Sequence, residues 1–285
     1  MARAVNMKMN QWVDMTRDNN TQIETIRAHF EGHAYDAHWH DSYLVGVTES
    51  GVQQFHSGRV RYRSTPGEVF ILSPGEIHDG DAVDQAGFTY RMLYIPPSLF
   101  HQTLPEIFVS PPDNDEMVFP ATLFQDKVLA AAIWSAFDAI HQPGGKLSKD
   151  HALLQLVLAL TQRFPWRRKA IPQDKNHSAL RLVKEYLHEM ATEATGLNEL
   201  AEVAGMDRYR LSRQFLKCFG LPPHAYLVQV RLSRARQLLR QGIAPAEAAA
   251  LAGFADQSHM GRWFRRAYRF TPAAYRNICT NVPDD

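Results

Sequence analysis

The chain has 285 residues, 45% of them hydrophobic and 21% charged, with a formal net charge of +1 and two cysteines, Cys218 and Cys279. That is room for one large or two ordinary domains of a soluble globular protein, without a disulfide framework and in keeping with a reducing cytoplasm. No apolar run reaches the ~18 residues of a membrane span, and the opening MARAVNMKMN lacks the apolar core of a secretory signal.

The near-zero charge conceals a split. Residues 178–285 hold 15 Lys+Arg against 10 Asp+Glu, a net +5, which leaves 16 against 20, a net −4, for residues 1–177. A basic half beside an acidic half suggests that one end meets a polyanion, with a solvated charged face as the plainer reading.

Residues 1–22 are polar with scattered apolar positions and are expected to be loosely ordered. From 23 to 96 six β-rich runs alternate with turn signals: IETIRAHF, SYLVGVT, VQQFHS, RVRYRS, EVFIL and FTYRMLYI. Short strands at this spacing predict an all-β sandwich or small barrel. Residues 105–120 are Pro-rich and acidic and read as loop. Helical periodicity then appears over 121–140 and 148–164, with Ser148 placed as the N-cap of the second helix. The dense Leu, Val and Ala of that helix needs a cover, either a second subunit or the β-domain itself. Residues 166–178 form a polar linker, and the chain beyond it reads helical.

The C-terminal part overlays itself at a shift of 49 residues. Asp207 falls on Asp256, Leu211 on Met260, Arg213 on Arg262, Phe215 on Phe264, Pro223 on Pro272 and Tyr226 on Tyr275. Such self-similarity marks a duplicated supersecondary unit. In the first copy a helix over 197–203 leads through Ala204-Gly205-Met206 to a second helix that Asp207 caps, which is a helix-turn-helix. Leu211, Phe215 and Phe219 fall on one side of that helix and predict a core stripe, leaving Tyr209, Ser212 and Arg213 on another. In the second copy Met260, Phe264 and Tyr268 form the stripe, and Ser258, His259, Gly261 and Arg262 the remaining face. Arg on such a face can bridge guanine O6 and N7, and Ser, Tyr or His can bond base edges or phosphate. Residues 224–241 carry no Gly or Pro and predict one connecting helix about 27 Å long at 1.5 Å per residue. Successive major-groove faces lie ~34 Å apart, a span that such a rod could serve. Its Arg231, Arg234, Arg236 and Arg240 are phosphate-contact candidates.

On these stretches, LNELAEVAGMDRYRLSRQFLKCFGLPPHAYLVQVRLSRARQLL and AEAAALAGFADQSHMGRWFRRAYRFTPAAYR, residues 180–278 resemble the double helix-turn-helix domain of the AraC/XylS family of bacterial transcription regulators. Where that family usually carries Ile or Val before the GF pair, this chain is Ala-rich (PAEAAALAGF), which implies slightly looser packing of the second unit. The resemblance implies base contacts from Tyr209, Ser212 and Arg213 in the first unit and from Gln257, Ser258, His259 and Arg262 in the second. Arg208 and Arg266 are counted with the same DNA-binding faces.

Six of the 13 histidines lie in the first 78 residues. AHWHD places His38 and His40 two apart on one face of a strand, and GEVFILSPGEIH brings His78 after a Pro-Gly turn. HWH with this second stretch resembles the two motifs of the cupin barrel and the arabinose-binding-like sensor domain of many AraC/XylS regulators, over roughly residues 23–165. Metal-binding cupins carry a Glu where Leu44 stands here. The three histidines are therefore read first as lining an effector pocket, with a structural role and a three-His zinc site as alternatives. Tyr43, Glu49, Arg91 and Tyr94 are further pocket candidates. An inward Arg91 would clamp a carboxylate, and an outward one would be a solvated strand residue.

The expected architecture is a cupin-like β-barrel with appended helices (23–165, effector binding and dimerisation), a linker (166–178) and an all-α domain of two helix-turn-helix units joined by a long helix (179–285). The expected function is a cytoplasmic, sequence-specific DNA-binding transcription regulator controlled by a small-molecule effector. It would act on double-stranded DNA as a homodimer, meeting RNA polymerase if it is an activator, with no membrane partner and no cofactor required. The alternative is a cupin-type metal-dependent enzyme fused to a DNA-binding domain. A methyl-accepting repair regulator is disfavoured, because Cys218 and Cys279 show no acceptor motif.

Overall fold

The computed structural model describes residues 3–8, 11–100, 102, 116–117, 119–141, 146–163, 166–167, 175–193 and 195–280. Most of the Pro-rich stretch 105–120 and of the linker lies outside them. The chain divides into two compact units, Met1–Lys169 and Ala170–Asp285. Among the described residues no helix is long and apolar enough to cross a membrane.

Unit 1 is built on two antiparallel sheets. Its strands are β1 (Arg3–Lys8), β2 (Gln11–Arg17), β3 (Glu24–Phe30), β4 (His33–His38), β5 (Tyr43–Gly51), β6 (Gln53–Ser57), β7 (Val60–Ser64), β8 (Val69–Leu72), β9 (His78–Ala82), β10 (Phe88–Ile95), β11 (Glu116–Met117), β12 (Leu123–Phe124) and β13 (Trp166–Arg167). The larger sheet runs β1-β2-β3-β10-β5-β8-β12 and the smaller β4-β9-β6-β7, with β11 paired to β13. The six expected strands are β3, β5, β6, β7, β8 and β10.

The expectation of a loosely ordered N-terminus is overturned. Strands β1 and β2 pair with each other, and β2 pairs with β3 through Trp12–Arg17. Val13 and Met15 are buried while their neighbours in β2 are not. A strand with only two apolar anchors looks polar in sequence, and it is held by the ladder it joins.

Two helices follow, α1 (Lys127–His141) and α2 (Lys146–Arg163). Asp126 caps α1, its Oδ1 accepting from Val128 N at 3.0 Å and Leu129 N at 2.9 Å. Helix α2 begins at Lys146, so Ser148 lies inside its first turn and is not the N-cap. Leu153, Leu156, Val157 and Leu160 pack with Leu129, Ile133 and Phe137 of α1 against Val45, Val47, Ile71, Leu93 and Ile95 of the large sheet. The β-domain thus covers much of the apolar surface of α2.

Unit 2 consists of α3 (Lys175–Glu189), α4 (Leu197–Ala204), α5 (Arg208–Phe219), α6 (Pro223–Arg240), α7 (Pro245–Leu251), α8 (Gln257–Tyr268) and α9 (Pro272–Thr280). The 49-residue repeat is a structural one. Helices α5 and α8 are 12 residues each, and α6 and α9 both open on the repeated proline, which suits the first helical position because its missing N–H is unpaired there anyway. Asp207 Oδ1 accepts from Arg210 N at 2.9 Å, and Asp256 Oδ1 from His259 N at 2.7 Å. Leu211, Phe215, Met260 and Phe264 are completely buried. Phe219 is only partly buried but touches Phe215, with ring centroids 4.6 Å apart. Ala248, Ala249 and Ala252 of the Ala-rich stretch are buried.

Candidate functional site

The cavity of unit 1 lies between its two sheets. It comprises about 460 Å³ of space free of atoms, counting its mouth, and His38, His40, His78, Tyr35, Tyr90 and Tyr94 supply its polar lining together with Gln53 and Asp79. Phe55, Phe70, Phe88, Leu44, Leu72 and Met92 make the rest apolar. This mixture suits a small organic ligand, since apolar walls supply affinity and a few polar groups fix orientation.

The three histidines meet there. His38 and His78 face each other across the β4–β9 ladder. Strand β4 ends at His38, so His40 does not share a strand with it as expected. The chain beyond the strand still delivers both rings to one place: ring centroids are 4.8 Å apart for His38–His40, 4.5 Å for His38–His78 and 5.3 Å for His40–His78. His38 Nδ1 donates to the Asp36 carbonyl at 2.7 Å and His78 Nδ1 to the Glu76 carbonyl at 2.9 Å. Burial holds the His78 imidazole below its ordinary pKa, outweighing the upward pull of that carbonyl. Tyr94 lies edge-on to His40 with centroids 4.8 Å apart.

Three expected pocket residues lie elsewhere. Successive residues of β10 point to opposite faces: Tyr90, Met92 and Tyr94 line the cavity, whereas Leu93 and Ile95 belong to the core under α1 and α2. Arg91 is on the helix side. Its Nη1 donates to Asp138 Oδ1 of α1 at 2.5 Å, its Nε donates to Glu49, and its guanidinium stands 4.0 Å over the Trp134 ring. Glu49 also accepts from Arg27, Nε at 3.0 Å and Nη2 at 2.9 Å. Burial pushes the Glu49 carboxyl up, but the bonds from Arg27 and Arg91 outweigh it and hold the group below its ordinary value. Tyr43 packs in the same helix-facing core, edge-on to Phe100. Neither Glu49, Arg91 nor Tyr43 lines the cavity. Conversely, Tyr35 and Tyr90, whose hydroxyls lie 2.5 Å apart, were not singled out from the sequence. Tyr90 was within reach of it, two and four residues from Met92 and Tyr94 on the same face.

In unit 2 the two second helices present their non-core faces. Arg213 is exposed and Ser212 half-buried on α5; Gln257, Ser258, Arg262 and Arg266 are exposed on α8. The side chains of Arg208 and Tyr209 lie outside the described residues. His259 is half-buried, and its Nε2 accepts from Trp263 Nε1 at 3.0 Å, with the Arg266 guanidinium 5.3 Å from the Trp263 ring. Both recognition helices follow a left-handed glycine, Gly205 at φ +60° and Gly253 at φ +85°. The connecting helix departs from expectation. Arg231 donates to the carbonyls of Ala191 at 2.7 Å and Glu193 at 2.8 Å. Arg236 and Arg240 both donate Nε to the Tyr275 hydroxyl, at 2.9 and 2.7 Å. These three arginines hold the domain together, and Arg234 of the four candidates is the exposed one.

A profile described as the AraC-like ligand binding domain matches residues 20–157, and one described as a helix-turn-helix domain matches residues 200–278. The chain belongs to the AraC/XylS family. It is a DNA-binding transcription regulator with an N-terminal ligand-binding domain. The HTH-type transcriptional regulator YbfI of Bacillus subtilis is 28% identical over 247 residues, covering 85% of this chain and 87% of that protein. The HTH-type transcriptional activator RhaS of Escherichia coli is 26% identical over 251 residues, with the same coverage of 85% and 87%. Among solved structures of the family fold, ToxT of Vibrio cholerae O395 superposes with a TM-score of 0.53 at 13% identity, over 91% of this chain and 99% of that one. ToxT with an unsaturated fatty acid bound gives a TM-score of 0.56 at 13% identity, over 94% and 100%.

Proposed function

We propose that this regulator reads double-stranded DNA with the exposed faces of α5 and α8, and that a small molecule in the barrel cavity controls the reading. Arg213 and Arg262 are the base-reading arginines. Gln257 and Ser258 stand beside them, and Arg266 serves phosphate. His259, tied to Trp263, orients the α8 surface and offers its second ring nitrogen. The observation that carries the assignment is the pair of 12-residue helices, 49 residues apart, with equivalent aspartate caps, buried stripes and exposed arginines.

The effector residues are His38, His40, His78 and Tyr94, joined by Tyr35 and Tyr90. The barrel acts as a sensor and not as a catalyst, and the chain works in the cytoplasm. Two copies bind as a homodimer, for which α1 and α2 offer the exposed apolar residues Val128 and Leu154. If the regulator is an activator, RNA polymerase is a further partner. The ligand acts by favouring one arrangement of the dimer energetically.

The test is a binding-site selection with wild type, Arg213→Ala and Arg262→Ala. Each substitution is expected to cost about 1–3 kcal/mol at the preferred site and to relax selection at one base position. Unchanged site preference in both variants would remove the assignment.

A further inference from the structure

We propose that Trp263 fixes the tautomer of His259, so that His259 meets the major groove as a hydrogen-bond donor and the regulator rejects cytosine at the base it faces. The proposal rests on the reading of α8 as a base-reading helix and adds a specificity rule to it.

Trp263 Nε1 lies 3.0 Å from His259 Nε2, one helical turn away on α8. An indole N–H only donates, so His259 Nε2 is the acceptor and holds the lone pair. A neutral imidazole carries one proton, which then sits on Nδ1. Among the described residues Nδ1 has no protein partner. The nitrogen that His259 can offer to DNA is therefore a donor and not an acceptor.

The neighbours hold this arrangement in place. The Phe254 ring, 5% exposed, meets the imidazole edge-on, with centroids 5.6 Å apart and an interplanar angle of 89°. The Arg266 guanidinium stands 5.3 Å from the Trp263 ring centroid, within reach of the attraction between a cation and an aromatic face. The first copy of the repeat carries Arg210 and Gln214 at the places of His259 and Trp263. The pairing therefore belongs to the second unit alone and is not a contact that the duplicated fold requires.

Its place on the helix gives the donor a target. Asp256 caps α8 and accepts from His259 N at 2.7 Å, so His259 is the third residue of the helix. In a helix-turn-helix the N-terminal residues of the second helix reach base edges. Arg262, three residues on and exposed, lies on the same side. In the major groove guanine offers N7 and O6, adenine N7 and thymine O4 as acceptors, whereas cytosine offers only its N4 amino donor. A proton on Nδ1 suits the first three and confronts a second donor at cytosine. The opposite tautomer would accept from cytosine N4. Trp263 is thus a positioning residue: it touches no base and decides which base His259 tolerates.

The first arm of the experiment needs no DNA. Full-length protein with ¹⁵N-labelled histidine rings is examined by long-range ¹H–¹⁵N correlation at mildly alkaline pH, and His259→Gln assigns the signal. Wild type is expected to show a protonated Nδ1 and a bare Nε2. Trp263→Phe, which keeps a ring beneath Arg266 and removes the donor, is expected to lose that pattern. A wild-type ring protonated on Nε2, or a pattern unchanged in Trp263→Phe, would overturn the proposal; the wild-type spectrum alone decides if a variant misfolds. The second arm is binding-site selection with wild type, His259→Ala and Trp263→Phe. His259→Ala locates the base position. Wild type should disfavour cytosine there by about fivefold or more, and Trp263→Phe should accept cytosine to within about twofold of the preferred base. Equal discrimination by wild type and Trp263→Phe, or no position altered by His259→Ala, would also overturn it. Arg262→Ala separates the two failures. Relaxed selection in Arg262→Ala with His259→Ala silent removes this proposal and spares the base-reading role of α8, whereas silence in both removes that role as well.

Discussion

Replacing Tyr275 by Phe isolates the role of the connecting-helix arginines. The hydroxyl accepts from Arg236 at 2.9 Å and from Arg240 at 2.7 Å, and Arg236 is only 7% exposed. A hydrogen bond to a charged group contributes about 1.5–3 kcal/mol, and Arg236 Nε loses this one where it is buried. Arg240 is half-exposed and recovers a water partner, so Arg236 carries nearly the whole cost. It keeps its place 5.0 Å over the Tyr268 ring, which limits the loss to that range. Because the chain has two units, a single melting curve mixes them, and local hydrogen exchange in the full-length protein is the appropriate assay. With about 1.4 kcal/mol per tenfold, peptides of α6 and α9 should exchange roughly 10–100-fold faster in Tyr275→Phe, with barrel peptides unchanged. The salt dependence of DNA binding should keep its slope, since no phosphate contact is removed. Exchange within threefold of wild type, or a shallower salt slope, would refute the structural reading and return Arg236 to the phosphate contacts.

Further expectations follow from single positions. Gly205→Ala meets open space and should cost about 1–2 kcal/mol for its left-handed backbone alone; Gly253→Ala should cost more in denaturant titrations, because its Cβ would sit 2.6 Å from the Ala191 carbonyl oxygen. Phe215→Ala and Phe264→Ala, both fully buried, should each cost about 3–5 kcal/mol and abolish DNA binding by unfolding their own unit. Glu49 is held below the ordinary carboxyl value, so its contribution is present above about pH 4.3 and is lost as pH falls through the lower folded-state value. Acid unfolding of Glu49→Gln should therefore show a shallower pH dependence than wild type, and equal slopes would contradict the ion-pair reading.

What the sequence determined by itself is what nearest neighbours along the chain decide. Asp207 and Asp256 before a helical period, glycines where the backbone turns left-handed, and stripes of buried aromatics at helical spacing are each signals carried within a few turns of a helix, and the 49-residue shift repeats the same local pattern. They made the double helix-turn-helix and its exposed arginines legible. Alternation likewise announced the six internal strands, and the histidine spacing announced the cluster. Strand faces were a different matter. The large sheet is covered on both sides, by helices on one and by the small sheet on the other, so Tyr90, Met92 and Tyr94 look as apolar as Leu93 and Ile95. With both faces buried, period two cannot say which side holds the cavity. Arg91 could be placed only by Asp138, 47 residues away, and Glu49, 42 residues away. The same holds for β1 and β2, anchored by a ladder to β3, and for Arg231, Arg236 and Arg240, whose partners lie 35–40 residues distant. Ion pairs and cross-strand ladders join residues that local propensity never brings together, so only the folded chain decided them.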